Sequence, residues 1–374
     1  MQVRRLRIQN FRNHNDTTLD FCNGVNFIIG ANAQGKTSIL EAISYVCMTK
    51  SFLRSADVNA IKNGASSFKL SAEIESIRGT TFHVTFQHEP SNGKRYVING
   101  SPISKSSDVV GKFPIVVLAP ENFGITGGPP AERRKFLDML LSQTSHAYLE
   151  ELSEYQKVLK QRNRILLESK ISGEIDKQNL RAWTEGLVEH GSKIVMRRHQ
   201  FVEEFNTDLK EVYLQIGGEG EDPNLSYSPS FKYEKVSTVR ENFLKAVEQF
   251  RHMELSRCVT LVGPHRDDVL FDINGMPLLR FASQGQHKTF LVALKIGEFF
   301  YIKRKTDETP ILLLDDVMTE LDYARSSKVA SIIGQLGQSF ITLTDSVSFD
   351  TNMIGDRDAR FHQVKEGSVV YQHA

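Results

Sequence analysis

Short apolar runs and alternating stretches open this chain, long rows of apolar residues at three- and four-residue spacing fill its middle, and apolar runs return near its end. Val3, Leu6, Ile8 and Phe11 mark an early strand. Val25, Phe27, Ile28 and Ile29 read as a buried strand, and residues 38–43 as a helix that follows it. Residues 68–75, 80–87 and 94–98 alternate with a period of two. The last two are joined through Glu89-Pro90-Ser91-Asn92-Gly93, a strong turn signal, so the three predict a small antiparallel sheet. Residues 113–119 give another buried strand, stopped by Pro120.

From Pro129 the period changes. A proline at a helix start and the row Leu152, Tyr155, Leu159 and Leu166 predict long helices to about residue 169. A second helical stretch covers 177–215, with Leu180, Trp183, Leu187, Ile194, Val202, Phe205, Leu209 and Val212 on one face and interruptions near Gly191 and Arg198. After the glycine-rich linker 217–223, a third helix is expected over 236–258. The result is an α/β chain with a discontinuous domain, 1–119 and 259–374, and a helical arm, 120–258.

The candidate chemistry sits between the second strand and its helix. Gly30, Ala31, Asn32, Ala33, Gln34, Gly35, Lys36, Thr37 and Ser38 contain the phosphate-loop pattern G-x-x-x-x-G-K-[ST], in the strand–loop–helix context it requires. Glycines let the backbone approach a polyphosphate, and the first helical turn offers unpaired N–H groups to it. Lys36 suits the β- and γ-phosphates and the Thr37 hydroxyl suits Mg²⁺. The segment predicts ATP or GTP binding. Further on, Ile311 to Leu314 form an apolar run closed by Asp315 and Asp316, the pattern of a buried parallel strand ending at a ligand. Asp315 is then a candidate Mg²⁺ partner, and Asp316 a candidate to orient or deprotonate the attacking water. Ser283 and Gly285 stand where a helix begins, a place where a hydroxyl and backbone amides can also meet an anion.

Composition narrows the function classes. Lys+Arg total 46 and Asp+Glu 45, a net charge of +1, so any nucleic-acid contact must come from a local patch or an assembled groove. Arg133-Arg134-Lys135, Arg162 with Arg164, and Arg197-Arg198-His199 are candidate phosphate contacts; a solvated helix face is the alternative for each. His265-Arg266-Asp267-Asp268 resembles a metal cluster, but a turn held by hydrogen bonds suits it better. Three cysteines in no metal-spaced pair fit a reducing compartment. The first residues form no secretory signal, and no stretch reaches the ~20 apolar residues of a membrane span, so the expected location is the cytoplasm.

The set GANAQGKT, ASQGQ, ILLLDD and Glu320-Leu321-Asp322 resembles the ATPase heads of the ABC/SMC group. With LRIQNFRNH, LAPENFGITGGPPAERRKFLD and LVGPHRDDVLF in their order and spacing, the whole chain resembles the RecF family of bacterial recombinational-repair ATPases. The resemblance implies an ABC/SMC-type P-loop ATPase head with an antiparallel β subdomain and an inserted helical arm. It implies residues 30–38 as the ATP site, Arg12 and Asn13 beside the nucleotide, and Thr37 with Asp315 on Mg²⁺. Asp316, Lys36 and Ser283 would be the catalytic set. Ser283, Gly285 and Gln286 would contact ATP bound by the other subunit, and Asp322 would touch the dimer partner. Asp316 stands where related ATPases carry Glu, and Thr344 or Asp345 where transporters carry His. Implied too are a slow Mg²⁺-dependent ATPase, an ATP-dependent homodimer, sequence-independent binding to DNA junctions or gaps, and RecR and RecO as partners in recombinase loading, replication restart and SOS induction. Two other readings are a transporter ATPase subunit, disfavoured by the long helical insert between Thr37 and Ser283, and an SMC-like structural clamp, disfavoured by the short arm.

Overall fold

A computed structural model describes residues 1–53, 55–217, 220–317, 323–344 and 358–372. These divide into two compact units, the first made of 1–123, 211–220 and 283–374, the second of 124–210 and 221–282.

The first unit holds two six-stranded sheets. One is antiparallel and comprises β1 (Gln2–Phe11), β2 (His14–Asp20), β4 (Phe68–Glu75), β5 (Thr81–Glu89), β6 (Gly93–Ile98) and β7 (Ser101–Ile103), in the order β2-β1-β4-β5-β6-β7. Val3 and Leu6 lie three apart yet are both buried, because the β1–β4 register shifts between Val3 and Arg5. Such a bulge lets both side chains reach one face.

The other sheet runs in the order β15-β14-β3-β13-β12-β8: Ser368–Gln372, Ala359–Lys365, Val25–Ile29, Ser339–Leu343, Ile311–Leu314 and Ile115–Leu118. All neighbours are parallel except β15 on β14. Strands β8, β12 and β13 are buried throughout; the first two are unbroken apolar runs, and β13 carries Ser339 and Thr342 among its apolar residues. Helix α1 (Lys36–Met48) is buried nearly all round, packing on β1, β4 and β5 of the first sheet and on β13 of the second. Tyr45 of α1 meets Phe11 edge-on at 5.7 Å and Phe68 at 5.5 Å, which anchors the helix that leaves the phosphate loop. Helices α8 (Gln284–Thr306) and α9 (Tyr323–Ile333) complete this unit.

Between the units in sequence runs the short α2 (Phe123–Gly127). The second unit contains α3 (Pro130–Thr144), α4 (His146–Ser172), most of α5 (Lys177–Ile216), α6 (Val239–Arg257), the four-residue α7 (Leu278–Phe281) and a small sheet. The first expected helical stretch breaks at Ser145, whose hydroxyl caps α4 by accepting from Tyr148 N. In contrast, α5 continues through both interruptions of its apolar row. At Gly191 a Cβ would lie 2.5 Å from the Phe243 ring, so the gap in the row is where an α6 aromatic packs. At Arg198 the side chain is buried and paired. The third helix begins three residues later than expected, after a 3₁₀ turn over Val236–Thr238.

The small sheet has the order β11-β10-β9, from Met276–Pro277, Asp268–Ile273 and Pro223–Ser228. Because β10 pairs along its length with β9, residues 259–282 group with the helical unit rather than with the ATPase head, in which the expected boundary had placed them.

Three arginines weighed as phosphate contacts are interior in this unit. Arg133 makes a two-pronged pair with Asp268, Nε at 2.8 Å and Nη2 at 2.9 Å. Arg162 donates to Glu254, Thr260 and Thr184, and Arg198 to Asp138, Tyr148 and the Pro264 carbonyl. A buried guanidinium must be paired, and each of these is. The His265–Asp268 segment is a hydrogen-bonded turn: Asp267 accepts from Tyr227 and from Ser230 N. His265 Nδ1 faces the Tyr155 hydroxyl at 2.7 Å and Nε2 the Thr260 carbonyl at 3.1 Å, which one neutral tautomer satisfies. Burial lowers this imidazole to about 4, so it is neutral at pH 7.

Candidate functional site

The C-terminal ends of β3, β12, β13 and β8 lie side by side, where ligands bind open parallel sheets. From β3 the chain turns through the phosphate loop into α1. Ala33 and Gly35 take left-handed backbone angles, φ 65° and 108°, and Gly35 caps the helix. A side chain at Gly35 would strike Asn13 at 2.5 Å, so glycine is required there by φ and by space together. Lys36 is buried, with Nζ donating to the carbonyls of Gly30 at 2.7 Å and Ala31 at 3.0 Å. Burial lowers its pKa, while the charges of Asp316 and Asp315 raise it.

The acidic pair is organised by a residue that sequence reasoning passed over. Thr342, on β13, donates from Oγ1 to Asp315 Oδ1 at 2.8 Å and accepts from Asp316 N at 2.8 Å. Thr37 Oγ1 donates to the same Asp315 oxygen at 3.0 Å. Asp316 follows in a left-handed conformation, φ 54°, which turns it away from Asp315 and into the pocket. Thr342 sits among the mainly apolar residues of β13, and only the parallel register of β12 on β13 reveals its role. Thr342→Val removes both bonds, the half-buried one to Asp316 N and the buried one to Asp315. The expected cost is about 1–3 kcal/mol in urea unfolding, with hydrolysis reduced more than ATP affinity.

Glu121 also bears on the acidic pair. It lies in the 3₁₀ turn Pro120–Asn122 directly after β8, whose Leu118 carbonyl accepts from Asp315 N at 2.9 Å. Glu121 Oε2 is buried without a hydrogen-bond partner. Burial pushes the Asp315 carboxyl up; donation from Thr342 and Thr37 pulls it down, and the charges of Asp316 and Glu121 push it up again. Excess negative charge, an orphaned carboxylate oxygen and a set of hard oxygen donors fit Mg²⁺. Among the described residues no three His, Cys, Asp or Glu side chains form a closed metal cage. Mg²⁺ takes one or two protein oxygens and completes its shell with phosphates and water.

One pocket of about 450 Å³ gathers Arg12, Asn13, Asn32, Ala33, Gly35, Lys36, Thr37, Ser38 and Asp316. Its far wall is Asn59, Ile61 and Asn63, which no sequence motif marked. They are stapled to the β1–β2 turn through Arg12 N on the Ala60 carbonyl at 2.8 Å. Arg12 is fixed by two bonds to the buried Glu41, at 2.7 and 2.8 Å. Gly30, Ala31 and Gln34 belong to the loop without lining this pocket, and Asp315 lies behind it, bonded to Thr37.

Ser283, Gly285 and Gln286 stand apart from the pocket, at the start of the 23-residue α8. Ser283 Oγ accepts from Gln286 N at 3.2 Å, and Gln286 Oε1 accepts from Ser283 N at 2.8 Å, a reciprocal cap. A Ser hydroxyl that accepts keeps its proton to donate to a phosphate oxygen. The Arg325 guanidinium lies over Gly285, 2.9 Å from where a Cβ would stand. Asp322 and Asp345 lie outside the described residues. No helix among the described residues is long and apolar enough to cross a membrane.

Comparison with known proteins agrees with this arrangement. The family model described as the RecF/RecN/SMC N-terminal domain matches residues 2–367. A DNA replication and repair protein RecF from Chloroherpeton thalassium is 40% identical over 355 residues, covering 93% of this chain and 96% of that one. A solved structure of the recombination mediator protein RecF with ATP, from the RecFOR pathway, superposes with a TM-score of 0.90 at 30% identity, covering 99% of this chain and 97% of that one. An Smc head domain from Pyrococcus furiosus shares the fold, with a TM-score of 0.56 at 16% identity, covering 99% of this chain and 96% of that one. The phosphate loop, the acidic pair at the end of β12 and the capped start of α8 therefore sit in an ABC/SMC-type ATP-binding head, and the chain belongs to the RecF family.

Proposed function

We propose that this chain is an ATP-dependent DNA-binding recombination mediator. It forms an ATP-driven homodimer, hydrolyses ATP slowly with Mg²⁺, and binds DNA at single-strand/double-strand junctions or gaps. With RecO and RecR it promotes recombinase loading, replication restart and SOS induction. The pocket that joins Lys36, Thr37 and Asp316, with Asp315 bonded to Thr37 behind it, carries this reading, supported by 40% identity over 93% of this chain to a DNA replication and repair protein RecF.

In this scheme the loop amides and the buried Lys36 hold the phosphates. Thr37 and Asp315 would hold Mg²⁺, which would supply positive charge to the phosphates. Asp316 orients the attacking water and accepts its proton. Ser283, Gly285 and Gln286 serve the partner's ATP, so the two half-sites close across a two-fold interface. DNA then meets basic residues from both subunits at once, which a chain of net charge +1 needs.

Fluorescence anisotropy of a gapped DNA tests the reading, first with and without ATP at one fixed salt and then across a salt series. Binding should require ATP, ignore sequence, and fall linearly with salt on a log–log plot as counterions are released. Light scattering should show ATP converting monomer to dimer, and Ser283→Arg should block that step while sparing ATP binding. Equal DNA affinity with and without ATP, or a native monomer in saturating ATP, would overturn the assembly.

A further inference from the structure

Two hairpin turns from opposite ends of the chain grip the phosphate loop. The β1–β2 turn supplies Asn13, His14 opens β2, and the β14–β15 turn supplies Glu366 and Gly367. Gln34 is where they converge. Its main-chain carbonyl accepts from Asn13 Nδ2 at 2.8 Å and from Gly367 N at 3.1 Å. Its side-chain Oε1 accepts from Glu366 N at 2.6 Å. The next carbonyl, that of Gly35, lies 3.2 Å from His14 Nε2. Thr17 Oγ1 donates to the Gly367 carbonyl at 2.9 Å, so the two turns are also tied to each other.

Peptide planarity gives these bonds a consequence. The carbonyl of one residue and the N–H of the next share a rigid plane and point in opposite directions. Donors fixed on the Gln34 carbonyl therefore aim the Gly35 N–H. A phosphate loop binds its anion through such amides, so their directions set its affinity. Neither Glu366 nor Gly367 lines the nucleotide pocket.

We infer that the Glu366–Gly367 turn is a positioning element of the ATP site, and that Gln34 is the positioning residue through which the C-terminal hairpin aims the loop amides at the phosphates. The inference rests on the proposed reading of the loop as an ATP site.

Amide hydrogen exchange on the full chain, with and without Mg²⁺–ATP, reads the coupling directly. Exchange at Glu366 and Gly367 should slow by about threefold or more on ATP addition, although neither residue touches the nucleotide pocket, because the loop they hold has been ordered. Gln34→Met keeps the side-chain length and deletes the acceptor. It should raise the ATP dissociation constant about three- to tenfold, the worth of one hydrogen bond, with kcat at saturation within about twofold of native and the nucleotide-free melting temperature unchanged. Gly367→Ala would bring a Cβ to 2.4 Å from the Asn13 carbonyl at φ 72°, and should weaken ATP more than Gln34→Met does.

Native exchange at 366–367 that ATP leaves unchanged while the 30–38 amides slow would overturn the inference. So would Gln34→Met binding ATP as tightly as the native chain. If Gln34→Met lowers the melting temperature as well, the exchange result on the native chain decides. A native chain that binds no ATP at all would instead remove the reading of the loop itself.

Discussion

Asp316→Asn is expected to slow ATP hydrolysis by about 10²–10⁴-fold, the usual contribution of a positioned general base, while ATP binding persists. The substitution suits the site. Asp316 occupies a left-handed backbone conformation, and Asn is among the few side chains that accept one readily. Its amide bond to Thr342 is made by the main chain and survives. Asp315, still bonded to Thr37 and Thr342, keeps its place. A dimer that cannot hydrolyse should outlive the native one, and DNA should leave it more slowly. Lys36→Met acts differently: it removes a buried ammonium from the loop, so ATP binding, dimerisation and DNA binding should decline together. Asp315→Asn weakens the Mg²⁺ site and should resemble the lysine variant. Hydrolysis rate and dimer lifetime after ATP addition, measured for all three, separate these roles. Native hydrolysis by Asp316→Asn would move the water-activating role to another residue.

Glu254→Ala is expected to destabilise the helical unit by about 3–5 kcal/mol, the cost of leaving a buried charge without its partner. Glu254 is wholly buried, and its Oε2 accepts from Arg162 Nη2 at 2.5 Å. Its other oxygen accepts from Leu261 N at 2.8 Å, so one carboxylate ties α4, α6 and the chain after α6. Arg162 keeps Thr184 and Thr260, but two neutral hydroxyls do not balance a guanidinium. Adding Arg162→Met to Glu254→Leu should recover most of the loss, because an apolar pair replaces an ion pair at little net cost. Urea unfolding followed by circular dichroism compares the three proteins. A double variant no more stable than Glu254→Ala would show that the hydrogen-bond network, rather than the unpaired charge, holds the unit.

The candidate nucleotide site was legible in the sequence where its chemistry is local. Gly30 through Ser38 must curl, present amides and start a helix within nine consecutive residues, and the apolar run before Asp315 announces a strand that ends at a ligand. The long helices were legible for the same reason, since their apolar period is written in near neighbours.

Partners distant along the chain decided the rest. Arg133, Arg162 and Arg198 read as solvated or DNA-facing because the acids that pair with them are remote in sequence: Asp268, Glu254 and Asp138 lie 135, 92 and 60 positions away. A basic side chain can be interior only when folding delivers an acid to it. Thr342 and Glu121 gained their places at Asp315 through the parallel pairing of β12 with β13 and β8. Gln34 meets Glu366 across 332 positions. The sequence by itself determined which backbone can cradle a phosphate. Only the tertiary structure decided which charges are buried and which carbonyls are held, because those depend on desolvation and hydrogen bonding between segments that meet only in the folded chain.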